Sequence, residues 1–300
     1  MHKARHARRY CRLPSLGLSI QCAMKSTEVG LATQEKDPDV KWMFMPGRIE
    51  GGCRLEKQRG IAPLISILVV VFQGRRDLPP LLDSILHQMD ANTELIVVDG
   101  GSSDGTIELL QERDSDIDYW VSESDQGIYD AMNKAISLAR GTFLLHLNAG
   151  DKLLHLPVPE LEAARDAGVD GAAFRVLVDE KFEFKPHFGM TLRFCNTLHH
   201  QGTFFRRESF PAYDTRYRIF ADFDVNQRLA LRGAKMKIFD RVVAMHAGGG
   251  ASDIPSRSAI REFFGLIRKN HGWCCVVIAW LICKRQGLMR RLRHVRERAG

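Results

Sequence analysis

From 63 to 147 the chain alternates short β-branched apolar runs with stripes of helical spacing, and no other feature limits its fold as tightly. The run at 66–72 suits a strand buried on both faces of a parallel sheet. A helix is predicted next, with Asp77 as its cap, Pro79 and Pro80 in the first turn, and Leu78, Leu81, Leu82, Ile85, Leu86 and Met89 on one face. A second strand at 94–98, a tight polar loop at 100–105 and a helix at 106–113 follow. A third strand is expected at 118–122. Ile128, Met132, Ala135, Ile136 and Ala139 then mark a helix closed by Gly141, before another strand at 143–147. This spacing predicts βαβ units with right-handed crossovers. Residues 1–60 lack sustained periodicity and are expected to form a loosely ordered leader.

Composition narrows the class. The 300 residues are 45% hydrophobic and 26% charged, which excludes collagen-like, coiled-coil and wholly disordered chains. A net charge of +7 invites a nucleic-acid partner until its placement is considered. Residues 1–25 carry six Lys/Arg and no acid, 284–300 carry seven against Glu297, and 26–283 holds 30 bases against 35 acids. The body is mildly acidic, so no nucleic-acid partner is expected. The seven cysteines are odd in number and lack C-x-x-C spacing, which argues for a reducing compartment without a disulfide framework or zinc site. The longest apolar run, 273–283, is shorter than the roughly eighteen residues of a membrane span. The basic start of 1–25 is interrupted by Pro14, Ser15, Ser19 and Gln21, so an unstructured extension or an upstream start codon is expected there rather than a secretory signal.

Open α/β sheets bind ligands beyond the carboxyl ends of their strands. Three exits qualify, at 72–73, 99–104 and 148–151, each polar or acidic with glycine nearby. The first offers only Gly74 where a dinucleotide site needs G-x-G-x-x-G, and no P-loop is present.

The ordered series PLISILVVVFQ, ELIVVDGGSSDGT, SESDQGIYDAMNKAISLARG and FLLHLNAGD, followed by LHHQGTFFRRESF, YRIFADFDVNQRLALRG and the His246 stretch, resembles family 2 glycosyltransferases of the GT-A fold across 63–250. The resemblance implies an α/β GT-A-type nucleotide-binding fold, with a mainly parallel central sheet flanked by helices and a C-terminal helical tail. It implies a nucleotide-sugar-binding half at 61–155 and an acceptor half at 156–252. The implied activity is inverting transfer of a hexosyl group from a nucleotide-diphosphate donor to a hydroxyl of a saccharide or lipid-linked acceptor, in the assembly of polysaccharide or glycolipid at a bacterial cell surface.

By this resemblance, Asp99 meets the donor nucleoside, as an acceptor-only group suits a uracil N–H or a ribose hydroxyl. Phe72 lies against the base or, as the alternative, fills the core at a strand end. Asp125, Asp130, Asn133 and Lys134 fall near the donor, with an i,i+4 surface pair as the alternative for Asp130 and Lys134. Asp104 reads as a loop or helix cap. Family members often carry a D-x-D for Mg²⁺ or Mn²⁺, but this chain reads Ala149-Gly150-Asp151. Asp151 is the expected metal ligand, since substrate phosphates can supply the remaining oxygens, with a turn cap as the alternative, and His246 resembles a histidine that faces the same metal or diphosphate, with a structural strand-end histidine as the alternative. Asp222 is the expected general base and Asp224 the second choice, against the alternative of two acids placed for the helix dipole. His200 and Gln201 are expected on the acceptor side.

The missing carboxylate at Ala149 raises a second reading, a catalytically inactive nucleotide-sugar-binding subunit. Beyond Asp253, an amphipathic helix carrying Ile260, Phe263, Phe264 and Ile267 precedes the block 273–283 and the Arg-rich end. Terminal Trp residues and flanking cations suit a segment lying in a membrane interface, with a buried core or dimer helix as the alternative. The expected location is the cytoplasm, peripheral on the inner face of the cell membrane.

Overall fold

The computed structural model describes residues 47–55, 62–248 and 256–297, the last twelve by their backbone alone. In chain order the strands are β1 (Arg48–Gly51), β2 (Ile65–Val71), β3 (Thr93–Asp99), β4 (Tyr119–Glu123), β5 (Phe143–Asn148), β6 (Lys152–Leu153), β7 (Gly171–Val178), β8 (Phe182–Phe184), β9 (Thr203–Arg206) and β10 (Met236–His246). The helices are α1 (Leu78–Leu86), α2 (Thr106–Glu112), α3 (Ile128–Leu138), α4 (Val158–Asp166), α5 (Ala221–Leu231) and α6 (Arg257–Glu297).

One sheet runs in the order β1-β4-β3-β2-β5-β9-β7-β10-β6, with β8 paired to β7. Strands β4, β3, β2 and β5 are mutually parallel, as the alternating pattern predicts. The second half inserts antiparallel β9 between β5 and β7, and β10 returns parallel to β7. Part of the expected leader belongs to the fold: β1 pairs antiparallel with β4, Arg48 opposite Glu123. The rest of that leader lies outside the described residues.

The period-2 geometry of β2 divides the core. Ile65, Ile67, Val69 and Val71 face Leu78, Leu81, Leu82 and Ile85 of α1, while Leu68 and Val70 face Tyr129 and Met132 of α3 and Val225 and Leu229 of α5. Full burial of such a side chain contributes about 1.5–3 kcal/mol, so both helix layers are firmly held. Asp77 makes no side-chain cap to α1, contrary to the sequence expectation. Cys274, Cys275 and Cys283 are free thiols, whereas Cys195 is disulfide-bonded, against the expectation of reduced cysteines.

Helix α6 is two helices joined at Gly272, whose φ of 80° and ψ of 178° turn the chain sharply. The first arm packs Phe263, Leu266 and Ile267 against Phe223 of α5 and Leu192. The second returns Cys275, Val276, Ala279 and Cys283 to the same cluster and leaves Trp273, Val277, Trp280 and Leu281 exposed. No described helix is long and apolar enough to cross a membrane.

Candidate active site

The carboxyl ends of β2, β3, β5 and β10 open on one side of the sheet, and the expected residues gather there in two clusters. At the exit of β2, Phe72 is 65% exposed, which removes the core-aromatic alternative. Gln73 follows at φ 54°, a left-handed conformation costly for a side chain, held by its backbone N–H donating 2.7 Å to Ser102 Oγ. Next to Phe72, a methyl group placed on Gly100 would lie 2.4 Å from Asp125 Oδ2 and 3.3 Å from Phe72 Cδ2. Asp125 and Phe72 therefore close over the buried Gly100 from adjacent sides.

Asp99 behaves differently from its expected role. It is fully buried, and its oxygens accept bonds from the Gly101 and Ser102 amides at 3.0 and 2.8 Å, from Ser122 Oγ at 2.6 Å, and from Ser102 Oγ. In this geometry it fixes the loop that carries Gly100 instead of presenting a free carboxylate. Asp104 does act as a cap: it accepts from the amide and hydroxyl of Thr106 at the head of α2, and the Thr106 hydroxyl with the Arg75 amide holds its carboxyl below the usual range. Asp130 accepts the Gln126 amide at 3.0 Å and lies 3.6 Å from Lys134 Nζ, which also reaches Glu123 and the Ser124 carbonyl. These two form the surface pair held as the alternative. Asn133 binds both backbone groups of Tyr213, tying α3 to the loop before α5.

The second cluster is an arc of polar contacts from β10 to α5. His246 Nδ1 lies 2.8 Å from Asp151 Oδ1 and 3.1 Å from Gln201 Nε2. Asp151 Oδ2 accepts from the Asn148 amide at 2.8 Å and from Gln201 Nε2 at 3.0 Å. Gln201 is fully buried and braces Asp151, which corrects its expected acceptor-side role. Its Oε1 meets His199 Nδ1 at 2.5 Å. Burial, with His200 and His246 nearby, lowers the His199 pKa to about 3, so the ring is neutral near pH 7. Asn148 Nδ2 is 3.2 Å from His200 Nε2, and His200 Nδ1 is 3.8 Å from Asp222 Oδ2.

Asp222 and Asp224 open α5 two residues apart and therefore point in different directions. Asp222 stays partly exposed, accepting Asn196 Nδ2 at 2.8 Å and lying 3.3 Å from the Tyr129 hydroxyl. Burial and the nearby Asp222 charge raise the Tyr129 pKa well above its ordinary value, so the hydroxyl keeps its proton and donates 2.6 Å to Ile219 O. Asp224 is 0% exposed and is taken up by Arg228 Nε at 2.7 Å, Lys269 Nζ at 3.4 Å and Asn270 Nδ2 at 3.2 Å. It ties α5 to α6 and does not face the site, which corrects the second choice of base.

Tyr129 and Asn196 escaped the sequence reading. Tyr129 sits inside a recognised motif, but its role depends on contact with residues about ninety positions later. Among the described residues, no three His, Cys, Asp or Glu side chains converge as a metal cage. Asp151 and His246 are paired to each other, an arrangement that suits a hard divalent ion only if substrate phosphates complete its coordination.

A family model described as glycosyl transferase family 2 matches residues 66–223. A PGL/p-HBAD biosynthesis glycosyltransferase of Mycobacterium bovis is 33% identical over 178 residues, which cover 56% of this chain and 70% of that protein. A putative teichuronic acid biosynthesis glycosyltransferase of Bacillus subtilis, TuaG, is 32% identical over 93 residues, 30% of this chain and 37% of that protein. Residues 1–349 of S. aureus TarS, solved with UDP-GlcNAc, superpose with a TM-score of 0.54 at 14% identity, covering 72% of this chain and 66% of that one. The complex with UDP gives a TM-score of 0.55, also at 14% identity, covering 69% and 64%. The chain spans less than two thirds of the TarS chain in the UDP complex, and the likeness is one of fold.

Proposed function

Because the chain belongs to glycosyl transferase family 2 and has the GT-A-type α/β fold, we propose that it moves a hexosyl group from a nucleoside-diphosphate donor to an acceptor hydroxyl with inversion. The observation that carries this reading is the polar arc itself, which links a partly open carboxylate, Asp222, to the Asp151–His246 corner through His200, Asn148 and Gln201. Phe72 supplies an exposed ring for the nucleobase, with Asp125 beside it for a ribose hydroxyl. Asp222 takes the acceptor's proton during attack on the anomeric carbon, and Asn196 and Tyr129 keep its oxygens oriented. Asp151 with His246 would hold a divalent cation, Mn²⁺ or Mg²⁺, whose charge would stabilise the departing diphosphate. The relatives named for PGL/p-HBAD and teichuronic acid biosynthesis favour a lipid-linked or saccharide acceptor in cell-surface assembly.

A membrane-facing acceptor suits the second arm of α6. Arg268 lies over Trp273 and Lys284 over Trp280, so the exposed apolar stripe is bordered by cations. Co-sedimentation with anionic vesicles should fall in the Trp273→Ala/Trp280→Ala double variant, and undiminished binding would remove this surface from the reading.

A panel of UDP-, dTDP- and GDP-sugars, with and without Mn²⁺, tests the activity. One donor should raise the melting temperature and release its nucleoside diphosphate, with inverted anomeric configuration in the product by NMR. Stabilisation without turnover on any acceptor would favour the inactive binding subunit, and a retained configuration would overturn the role of Asp222.

A further inference from the structure

The segment leading into α5 has no side-chain cap of its own, yet three of its amides are satisfied from far along the chain. Glu262, on the first arm of α6, accepts the backbone N–H groups of Arg218 at 3.1 Å, Ile219 at 2.9 Å and Phe220 at 2.7 Å. Phe220 is the residue immediately before the helix, so a carboxylate stands at the positive end of the α5 dipole. The carbonyl of Ile219 is in turn the acceptor for the Tyr129 hydroxyl, which lies 3.3 Å from Asp222 Oδ1. From opposite sides, Glu262 and Tyr129 hold the same residue, three positions before Asp222.

Packing makes this grip rigid. Phe263 stacks on Phe223 with ring centroids 5.5 Å apart and meets Phe220 edge-on at 5.5 Å. Lys269 and Asn270 of the same arm reach Asp224, so α6 holds α5 at Asp224 as well as at the segment before its first turn. Glu262 is the only acid between Asp253 and Glu297, in a stretch whose other charged residues are all basic.

We propose that Glu262 is a positioning residue for the reaction: it fixes residues 218–220 so that Asp222 meets the acceptor hydroxyl at the correct place. The inference rests on Asp222 being the base. It makes the C-terminal helix part of the catalytic apparatus while leaving donor binding to the strand exits.

The test compares Glu262→Ala, Glu262→Gln, Asp222→Asn and the Asp222→Asn/Glu262→Ala double variant in the full chain, using the best donor of the panel for turnover and UDP for binding. Glu262→Ala should lose about 10- to 100-fold in kcat, the scale of a small misplacement of a reacting group, while donor KM and UDP affinity stay within about twofold. Glu262→Gln keeps an acceptor for Ile219 and Phe220 but sets an NH₂ group against the Arg218 amide, so it should recover most of the loss yet remain about threefold below the parent. The double variant should be no slower than Asp222→Asn alone, because Glu262 acts only through that carboxylate. Full kcat in Glu262→Ala, or an additive loss in the double variant, would overturn the inference. If Glu262→Ala does not fold, Glu262→Gln decides, and parental kcat there overturns it. Parental turnover in Asp222→Asn would overturn the base assignment instead, so the two failures are distinguishable.

Discussion

The exits of β3 and β4 and the first turn of α5 are both rich in carboxylates, and they use them in opposite ways. At the β3 exit, Asp99 is buried and spent on the loop, while the exposed surface is left to Phe72 and Asp125. At α5, one carboxylate is buried and tied to α6 while its neighbour two residues away stays partly open. An acid in a recognisable motif is thus no guide to its use. What decides is which other elements supply donors to it.

Three changes test this contrast, in order of expected effect. Asp224→Ala should cost about 2–3 kcal/mol of stability, less than a fully buried pair because Arg228 and Lys269 remain partly exposed. Its turnover per folded molecule should stay near the parent value, and denaturant unfolding paired with kcat would show otherwise. Phe72→Ala should leave stability unchanged, since the ring is exposed, and weaken UDP by about tenfold if the base stacks there. Unaltered UDP binding by calorimetry would move the nucleobase elsewhere.

The third change lies at the seam between the two regions. His146 is fully buried on β5, ringed by Phe210 and Tyr213, and neither ring nitrogen has a hydrogen-bond partner among the described residues. Burial, then the nearby His200, lowers its pKa to about 3. The unfolded chain therefore takes up a proton below about pH 6.5 that the folded chain refuses until about pH 3, and stability falls across that window by up to ~1.4 kcal/mol per pH unit. His146→Phe should remove one proton's share of that slope, so its advantage in melting temperature should grow from pH 8 to pH 5. An advantage independent of pH would contradict the neutral, unpartnered state.

Much of the fold was legible in the sequence. Strands β2, β3 and β5 are β-branched runs buried on both faces, and the stripes of α1 and α3 have helical spacing, so local pattern and final environment agree. Strand β1 was hidden because its pairing partner lies about seventy residues away and its own four residues carry no periodicity. Strand β9 was hidden because its four residues are too few to show a period and it is inserted antiparallel between two parallel groups. At the site, Asp151, His246 and Asp222 stand out as polar residues at strand or helix ends. Their surroundings do not, since the choice between Asp222 and Asp224 depends on Lys269 and Asn270, and the hold on Asp222 on Tyr129 and Glu262.

The two acids at the head of α5 offer the most direct measurement: kcat for Asp222→Asn and Asp224→Asn, side by side, each corrected for the fraction folded. The open carboxylate should prove indispensable, with Asp222→Asn losing at least about a hundredfold while Asp224→Asn stays within about threefold of the parent. Comparable losses in the two variants, or the larger loss at Asp224, would contradict the account.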